Sequence, residues 1–199
     1  GYKKALPLLM NGLEKLEYRG YDSAGIAIIN SETNSITCNK AEGKLKNLKN
    51  NLNHENIPGT VGIGHTRWAT HGKPEVKNAH PHIDGSGKIA VVQNGIIENF
   101  QDLKNKLQKE GIIFNSDTDT EVIPHLIERE LNTLGKLNLD NNGSTLLVAV
   151  RNVISDLEGS YALAVLWAGA PTSLVVARKQ APLIIGLGEG EFICASDTP

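Results

Sequence analysis

Residues 88–94 read KIAVVQN and form the most apolar strand-like segment of the chain. A strand that is apolar at nearly every position is buried on both faces, so other layers must cover both of its sides. Residues 24–29 and 35–39 are also of the β type and predict a hairpin, with residues 31–34 as the polar connection. Residues 61–66 predict a further strand. We therefore expect several strands, of which the one at 88–94 is buried on both faces.

Apolar residues at steps of three and four predict helices beside these strands. Such patterns begin at Leu6, at Ile97, after Thr118 and after Ser144. Thr118 and Glu121 have the spacing of a capping box, and Ser144 is the expected N-cap of the last helix.

The end of the chain differs from its middle because short β-type segments replace the helical patterns. Residues 161–167, 173–177, 182–187 and 192–195 predict four strands in hairpin succession, whereas residues 44–55 predict a polar helix or loop. Strands, then consecutive helices, then more strands favour mixed α and β structure with antiparallel sheets over a regularly alternating layout.

Composition excludes several classes of function. The chain has 199 residues, 40% of them hydrophobic and 21% charged, with a formal net charge of -2. No basic field is available to bind a nucleic acid or an anionic membrane. The longest apolar run, 162–170, is far shorter than a membrane-spanning helix. Two cysteines are too few for a disulfide scaffold, which favours a cytoplasmic location.

The densest group of polar functional residues surrounds Arg67, where four of the six histidines fall between residues 65 and 82. His80 and His82 have the spacing of zinc ligands on a strand, but no motif supplies a third ligand. A second interpretation makes the histidines hydrogen-bonded structural groups. A third makes this a small-molecule site, in which the Arg67 guanidinium binds a carboxylate through two parallel hydrogen bonds.

Two other segments have both a structural and a functional interpretation. Asn94 and Gly95 follow the apolar strand, where such a pair favours a tight turn but can also form an oxyanion hole. Asp119 belongs to an expected helix start and could also bind an ammonium group. Cys38 in a polar strand and Cys194 in an expected buried strand have no base nearby, which indicates unreactive thiols.

Several motifs together resemble one family, the glutaminase domains of the glutamine:fructose-6-phosphate aminotransferases, which are class II glutamine amidotransferases. The motifs are LEYRGYDSAG (16–25), HTRWATHG (65–72), NAHPH (78–82), NGIIEN (94–99), TDTEV (118–122) and APLIIGLG (181–188). Other class II families, such as the amidophosphoribosyltransferases, share the Arg-Gly-x-Asp-Ser-x-Gly frame but differ at Tyr21, Trp68 and Asn99. The amidophosphoribosyltransferases remain the alternative family for this chain.

The resemblance implies an α+β fold of the N-terminal nucleophile hydrolase type, a four-layer αββα sandwich of two antiparallel sheets. It also implies hydrolysis of the glutamine side-chain amide, without a cofactor, by an N-terminal cysteine whose α-amino group is the base. The ammonia would pass to sugar isomerase domains of the same polypeptide, which make glucosamine-6-phosphate from fructose-6-phosphate. The parent enzyme is expected to be a cytoplasmic homo-oligomer.

The resemblance also implies roles for individual residues. Arg67 would bind the α-carboxylate of glutamine and Asp119 its α-ammonium group. The Asn94 amide and the Gly95 N–H would stabilise the oxyanion. The residues implied to line the pocket or to support it are Trp68, Thr70, His71, Arg19 and His80.

Family members begin with the cysteine and a short apolar strand, whereas this chain begins at Gly1. Residues 1–199 are therefore expected to be the glutaminase domain without that strand and its nucleophile, with the isomerase domains outside the sequence. For the chain as given, a module that binds glutamine or glutamate without catalysis is a further alternative.

Overall fold

The computed structural model describes residues 2–52, 56–69, 71–136 and 142–197. In these residues five α-helices and nine β-strands follow the order α1 (Ala5–Leu16), β1 (Ser23–Ile29), β2 (Ile36–Glu42), α2 (Leu45–Leu52), β3 (Gly62–Arg67), β4 (His82–Ile83), β5 (Ile89–Ile97), α3 (Phe100–Lys109), α4 (Val122–Gly135), α5 (Gly143–Ile154), β6 (Gly159–Trp167), β7 (Val175–Lys179), β8 (Ile184–Gly188) and β9 (Glu191–Ala195). The predicted polar segment at 44–55 is helical as far as Leu52, and residues 53–55 lie outside the described part.

The strands form two main antiparallel sheets. The first has the order β2-β1-β3 and the second the order β4-β5-β6-β7. The longest pairing joins β5 to β6, from Ile89 opposite Trp167 to Ile97 opposite Gly159. The segment at 88–94 thus lies in the centre of the second sheet, and the expectation that it is buried on both faces is confirmed.

Alternation along β1 shows how the first sheet is layered. Ile26 and Ile28 pack with α1 and α2, whereas Ala27 and Ile29 pack against residues of the second sheet. Since successive side chains of a strand point to opposite faces, one sheet can contact helices on one side and the other sheet on the other.

The second sheet is layered in the same way. Ala90 and Val92 of β5 face the first sheet, and Ile89 and Val91 pack with the cluster formed by α3, α4 and α5. The order of layers is therefore helices, sheet, sheet, helices. This arrangement confirms the αββα sandwich.

Local expectations at three helix starts were wrong. Ile97 ends β5 and does not belong to α3. Helix α4 begins at Val122 without a side-chain cap, so Thr118 does not form a capping box. The cap of α5 is Asn142, whose side chain accepts hydrogen bonds from the N–H groups of Ser144 and Thr145.

The last two strands depart from the predicted succession. Strands β6 and β7 pair as expected, but β8 and β9 form a separate two-stranded sheet. This hairpin exposes large apolar side chains, including Leu187 and Phe192. Among the described residues, no helix is both long and apolar enough to cross a membrane.

Candidate active site

A cavity of about 740 Å³ lies where β3, β5, β6, α1 and β9 meet. It brings together nearly all of the residues that the sequence singled out for substrate chemistry. Those that line it are Arg19, Arg67, Trp68, His71, His80, Asn94, Gly95 and Asp119. Thr70, which was expected in the same pocket, lies outside the described residues.

Arg67 is the last residue of β3, and its side chain is buried. Its Nη1 atom donates to the carbonyl of Lys73 (3.3 Å), and its Nη2 atom donates to the carbonyls of His71 and Gly72. Burial lowers the pKa of the guanidinium, while the carboxylates of Asp22 and Asp119 act in the opposite direction. A guanidinium remains charged under these conditions, so Arg67 is a fixed cation that also holds the backbone of residues 71–73.

Asn94 and Gly95 do not form a turn, and the interpretation that the residue types favoured was wrong. Both residues lie within β5, where they pair with Ala162 and Tyr161 of β6. Gly95 has a φ of 130°, and a Cβ atom at this position would lie 2.0 Å from the carbonyl oxygen of Ser160. Only glycine allows the two strands to approach so closely here. The pair therefore lies on a fixed strand and faces the cavity.

Asp119 lies just before α4 and is buried at the cavity wall. Its Oδ2 atom accepts a hydrogen bond from the backbone N–H of Ile97 (2.8 Å). The neighbouring Glu121 accepts from the N–H groups of Asn115 and Ser116, at 2.8 and 2.7 Å. Burial raises the pKa of Glu121, but hydrogen bonds outweigh it and hold that pKa near 2. A charged Glu121 thus organises the loop that carries Asp119.

Three histidines form a wall of contacting rings, of which His65 and His80 line the cavity. The ring centroids of His65 and His80 are 4.4 Å apart, and those of His80 and His82 are 4.8 Å apart. His80 Nδ1 accepts from the N–H of Gln93 (3.2 Å), and His82 Nε2 is 3.0 Å from the hydroxyl of Thr118. These contacts fit the interpretation of hydrogen-bonded structural groups.

Burial keeps these rings neutral. Desolvation, followed by the charges of Arg67 and Arg19, lowers the pKa of His65 to about 4. Desolvation also lowers the pKa of His82 to about 3 and that of His80 well below its usual value. Across the described ranges, no three histidine, cysteine or carboxylate side chains lie close enough to hold a metal ion.

The remaining predicted residues lie at the rim. Trp68 is 61% exposed and makes an edge contact with Tyr21, with ring centroids 5.4 Å apart. His71 makes a similar contact with Phe100 at 5.4 Å. Arg19 reaches Ser196 and Asp197, each at 3.4 Å. The rim therefore joins segments from both ends of the described chain.

Both cysteines are thiols with raised pKa values. Burial raises the pKa of Cys38 in β2 and of Cys194 in β9. Cys194 is half-buried at the cavity wall, so the expectation that it lies in a buried strand was wrong. The raised pKa values disfavour the nucleophilic thiolate form at neutral pH.

Sequence reasoning assigned no role to three polar residues near the site, of which Gln93 lines the cavity. Asp22 accepts a hydrogen bond from the N–H of Ala69, and Asn78 is fully buried between two loops. Gln93 is buried in β5 and accepts from the hydroxyl of Thr120 at 2.9 Å. Gln93 could have been found from sequence, because it is a polar residue inside an otherwise apolar strand.

Comparisons with known proteins bear on this arrangement. The glutamine amidotransferase domain family matches residues 65–199. The glutamine--fructose-6-phosphate aminotransferase [isomerizing] of Thermosynechococcus vestitus is 55% identical over 199 residues, and that of Pyrococcus horikoshii is 53% identical over the same length. Both alignments cover all of this chain, which spans only about 30% of the relatives' length.

The fold is also shared with solved structures. The glutamine phosphoribosylpyrophosphate amidotransferase from B. subtilis superposes with a TM-score of 0.78 at 30% identity. The superposition covers 98% of this chain and 40% of that one. Sequence and structure agree that this chain belongs to the glutamine amidotransferase domain family.

Proposed function

We propose that this chain binds glutamine and, together with an N-terminal cysteine in sequence that precedes residue 1, hydrolyses its side-chain amide to glutamate and ammonia, as the glutaminase domain of a glutamine:fructose-6-phosphate aminotransferase. The observation that carries the proposal is the convergence of Arg67, Asp119 and the Asn94–Gly95 pair on one cavity. These residues come from the end of β3, the loop before α4 and β5. They supply the cation, the anion and the polar donors that the two charged ends and the amide of glutamine require.

The two charged residues would select an α-amino acid. Arg67 has five N–H donors, of which the carbonyls of residues 71–73 engage only some, so donors remain for a carboxylate. One oxygen of Asp119 is occupied by the Ile97 N–H, and the carboxylate can still bind an ammonium group. A ligand that carries both charges therefore satisfies both buried groups.

The Asn94–Gly95 pair would act on the amide. When a thiolate attacks the amide carbon, the carbonyl oxygen becomes negative, and donors fixed on a strand can stabilise that charge without rearranging. The cysteine thiol gives its proton to its own α-amino group, and the thiolate adds to the carbon. The C–N bond then breaks, and the leaving nitrogen takes that proton and departs as ammonia. Water then hydrolyses the thioester to glutamate. The histidines beside the cavity are neutral, so they do not draw the negative charge of the oxyanion away from these donors.

The nucleophile and the acceptor reaction belong to the proposal for the whole protein. The resemblance to the family implies that the nucleophile is an N-terminal cysteine in sequence that precedes residue 1, and the raised pKa values of Cys38 and Cys194 disfavour that role for either of them. Ammonia would pass to sugar isomerase domains of the same polypeptide and convert fructose-6-phosphate to glucosamine-6-phosphate. The relatives, of which this chain spans about 30%, have room for such domains. We extend the proposal to a homo-oligomeric enzyme of the cytoplasm.

A second candidate is the glutaminase domain of an amidophosphoribosyltransferase, which the structural likeness to the B. subtilis enzyme favours. Sequence identity favours the first candidate, at 55% against 30%.

The test uses the full-length protein with its N-terminal cysteine. We expect glutamate to form from glutamine, and glucosamine-6-phosphate to form when fructose-6-phosphate is added. Phosphoribosyl pyrophosphate should give no amine product, and the opposite preference for the two acceptors would establish the second candidate. As a control, replacing the N-terminal cysteine by alanine should abolish hydrolysis and preserve glutamate binding. A full-length protein that binds glutamate and never hydrolyses glutamine would be a binding module.

A further inference from the structure

Asn78 is a fully buried residue that the proposed chemistry does not use. It ends a short 3-10 turn, Val76–Asn78, which follows the loop held by Arg67. Its Nδ2 atom donates to the carbonyl of Lys73 (3.0 Å) and to the carboxylate of Asp117 (3.3 Å). Its Oδ1 atom accepts from the backbone N–H of Asp117 (2.8 Å). Both the nitrogen and the oxygen of the amide are therefore hydrogen-bonded. Their partners are Lys73, five residues earlier, and Asp117, 39 residues later.

The partners of Asn78 belong to the two loops that hold the charged residues of the cavity. The carbonyl of Lys73 is shared, since it accepts from both Asn78 and Arg67. On the other side, Asp117 lies two residues before Asp119, whose carboxylate is fixed by the Ile97 N–H. The Asn78 amide is thus a short connection between the Arg67 loop and the Asp119 loop.

The packing around Asn78 leaves little freedom in this connection. Gly72 has a φ of 79°, and a Cβ atom there would lie 2.7 Å from Asn78 Nδ2 and 3.1 Å from the Cβ of Asp117. The loop carrying Gly72 therefore rests directly on the Asn78 amide. A buried amide with all of these contacts satisfied holds its neighbours in one geometry, because a displaced loop would leave buried polar groups unpaired.

We propose that Asn78 is a positioning residue that sets the spacing between the Arg67 guanidinium and the Asp119 carboxylate, and thereby the selectivity of the site for ligands with both an α-carboxylate and an α-ammonium group. This inference rests on the proposed function, since it concerns how that site recognises glutamine. Asn78 itself lies behind the loops and does not need to touch the ligand.

The surface offers a matched control. Lys77 Nζ also reaches the carboxylate of Asp117 (2.9 Å), but both side chains are largely exposed, at 45% and 57%. An exposed ion pair of this kind contributes little to geometry or stability. Lys77→Ala removes a link between the same two segments and leaves the buried amide intact.

The experiment measures steady-state kinetics of glutamine hydrolysis by the full-length enzyme. Asn78→Asp keeps the size of the side chain, but an oxygen replaces the donor to Lys73 and Asp117 and faces the Asp117 carboxylate. We expect KM for glutamine to rise about tenfold, the scale of one or two lost hydrogen bonds, while kcat stays within about threefold. Lys77→Ala should leave both constants within about twofold.

Two inhibitors distinguish a changed spacing between Arg67 and Asp119 from a general loss of binding. The inhibition constant of glutamate, which has both α-groups, should rise in parallel with KM. That of glutarate, which lacks the ammonium group, should change by less than about threefold. Gly72→Ala pushes on the amide from the loop side and should give the same pattern, so the test survives if Asn78→Asp folds poorly. KM does not depend on the fraction of folded molecules.

An unchanged KM in both variants, or equal increases for glutamate and glutarate, would overturn the inference. An unaltered full-length protein that hydrolyses no glutamine would instead overturn the proposed function.

Discussion

The two charged residues of the cavity are held by different kinds of structure. Arg67 is fixed by the carbonyls of a loop, residues 71–73, which its own guanidinium organises. Asp119 is fixed by a backbone N–H of β5, the central strand that also carries Asn94 and Gly95. The loop at 71–73 therefore depends on Arg67 for its shape, whereas Asp119 is anchored to a strand of the sandwich. We expect substitutions of Arg67, of its loop or of Asp119 to change affinity, and substitutions of Asn94 or Gly95 on β5 to change rate.

The largest expected effect is on the strand side. In the full-length enzyme, Asn94→Ala should lower kcat by about 10² to 10³, because a donor aimed at the developing oxyanion stabilises the transition state more than bound glutamine. KM should change little. Since Asn94 lies inside β5 and not in a turn, the variant should fold. Measuring kcat and thermal stability on one preparation decides the point, and a stable variant with unchanged kcat removes Asn94 from the oxyanion site.

The next largest effect is on the loop side. Arg67→Lys should weaken glutamine binding by about 1.5 to 3 kcal/mol, the scale of a charged hydrogen bond, because lysine has no planar fork. The same change removes donors to residues 71–73, so we also expect a lower melting temperature. Calorimetric titration gives the affinity, and Lys77→Ala serves as the control. Unchanged affinity would mean that Arg67 organises the loop and does not contact the ligand.

The histidine wall predicts that the free energy of unfolding depends on pH. An unfolded histidine has a pKa of about 6.5, whereas that of folded His65 is about 4. The unfolded chain therefore binds more protons between these values. This part of the stability is complete above about pH 6.5 and is lost as the pH falls towards 4, by about 1.4 kcal/mol per pH unit for each such histidine.

His65→Phe provides the matched variant, because phenylalanine keeps a stacking ring and does not titrate. His65 Nδ1 is buried without a hydrogen-bond partner, so its loss leaves no orphaned group at that atom. Denaturant unfolding between pH 4.5 and 6.5 should show a shallower pH dependence for the variant, by about 1.4 kcal/mol per pH unit. Equal slopes would show that His65 is not buried in its neutral form.

Treatment with a chelator is expected to have no effect on stability or binding. If the contacts of His80 and His82 with Gln93 and Thr118 are structural, a chelator should change neither the melting temperature nor glutamate binding. A structural zinc ion contributes directly to the free energy of folding, so its removal would be visible. Stoichiometric zinc in elemental analysis would contradict this prediction.

Much of the fold followed from local patterns. The period of the leucines in α1, the apolar run of β5 and the hairpin between β1 and β2 were predicted from sequence and are confirmed. The motifs around Arg67 and Asp119 also predicted the family, which the comparisons confirm. The helices and strands could be predicted because the spacing of apolar residues follows the period of each type of secondary structure.

Helix starts and the Asn94–Gly95 pair were less predictable, because distant groups compete with local preferences. Thr118 could have capped α4, but its hydroxyl bonds to His82, 36 residues away in sequence. An isolated Asn-Gly pair favours a turn, but β6 pairs with it and extends β5 through it. Propensity is a weak preference that tertiary hydrogen bonds readily override.

The sequence by itself determined the layered α+β class, the family and the residue types available for binding an α-amino acid. Only the tertiary structure decided that Arg67, Asp119 and Asn94 line one cavity, and that Asn78 connects the loops that hold the first two. The physical reason is that these relations depend on hydrogen bonds between segments far apart in the chain. Asn78 and Asp117 are separated by 39 residues, and no local pattern records the buried amide that joins them.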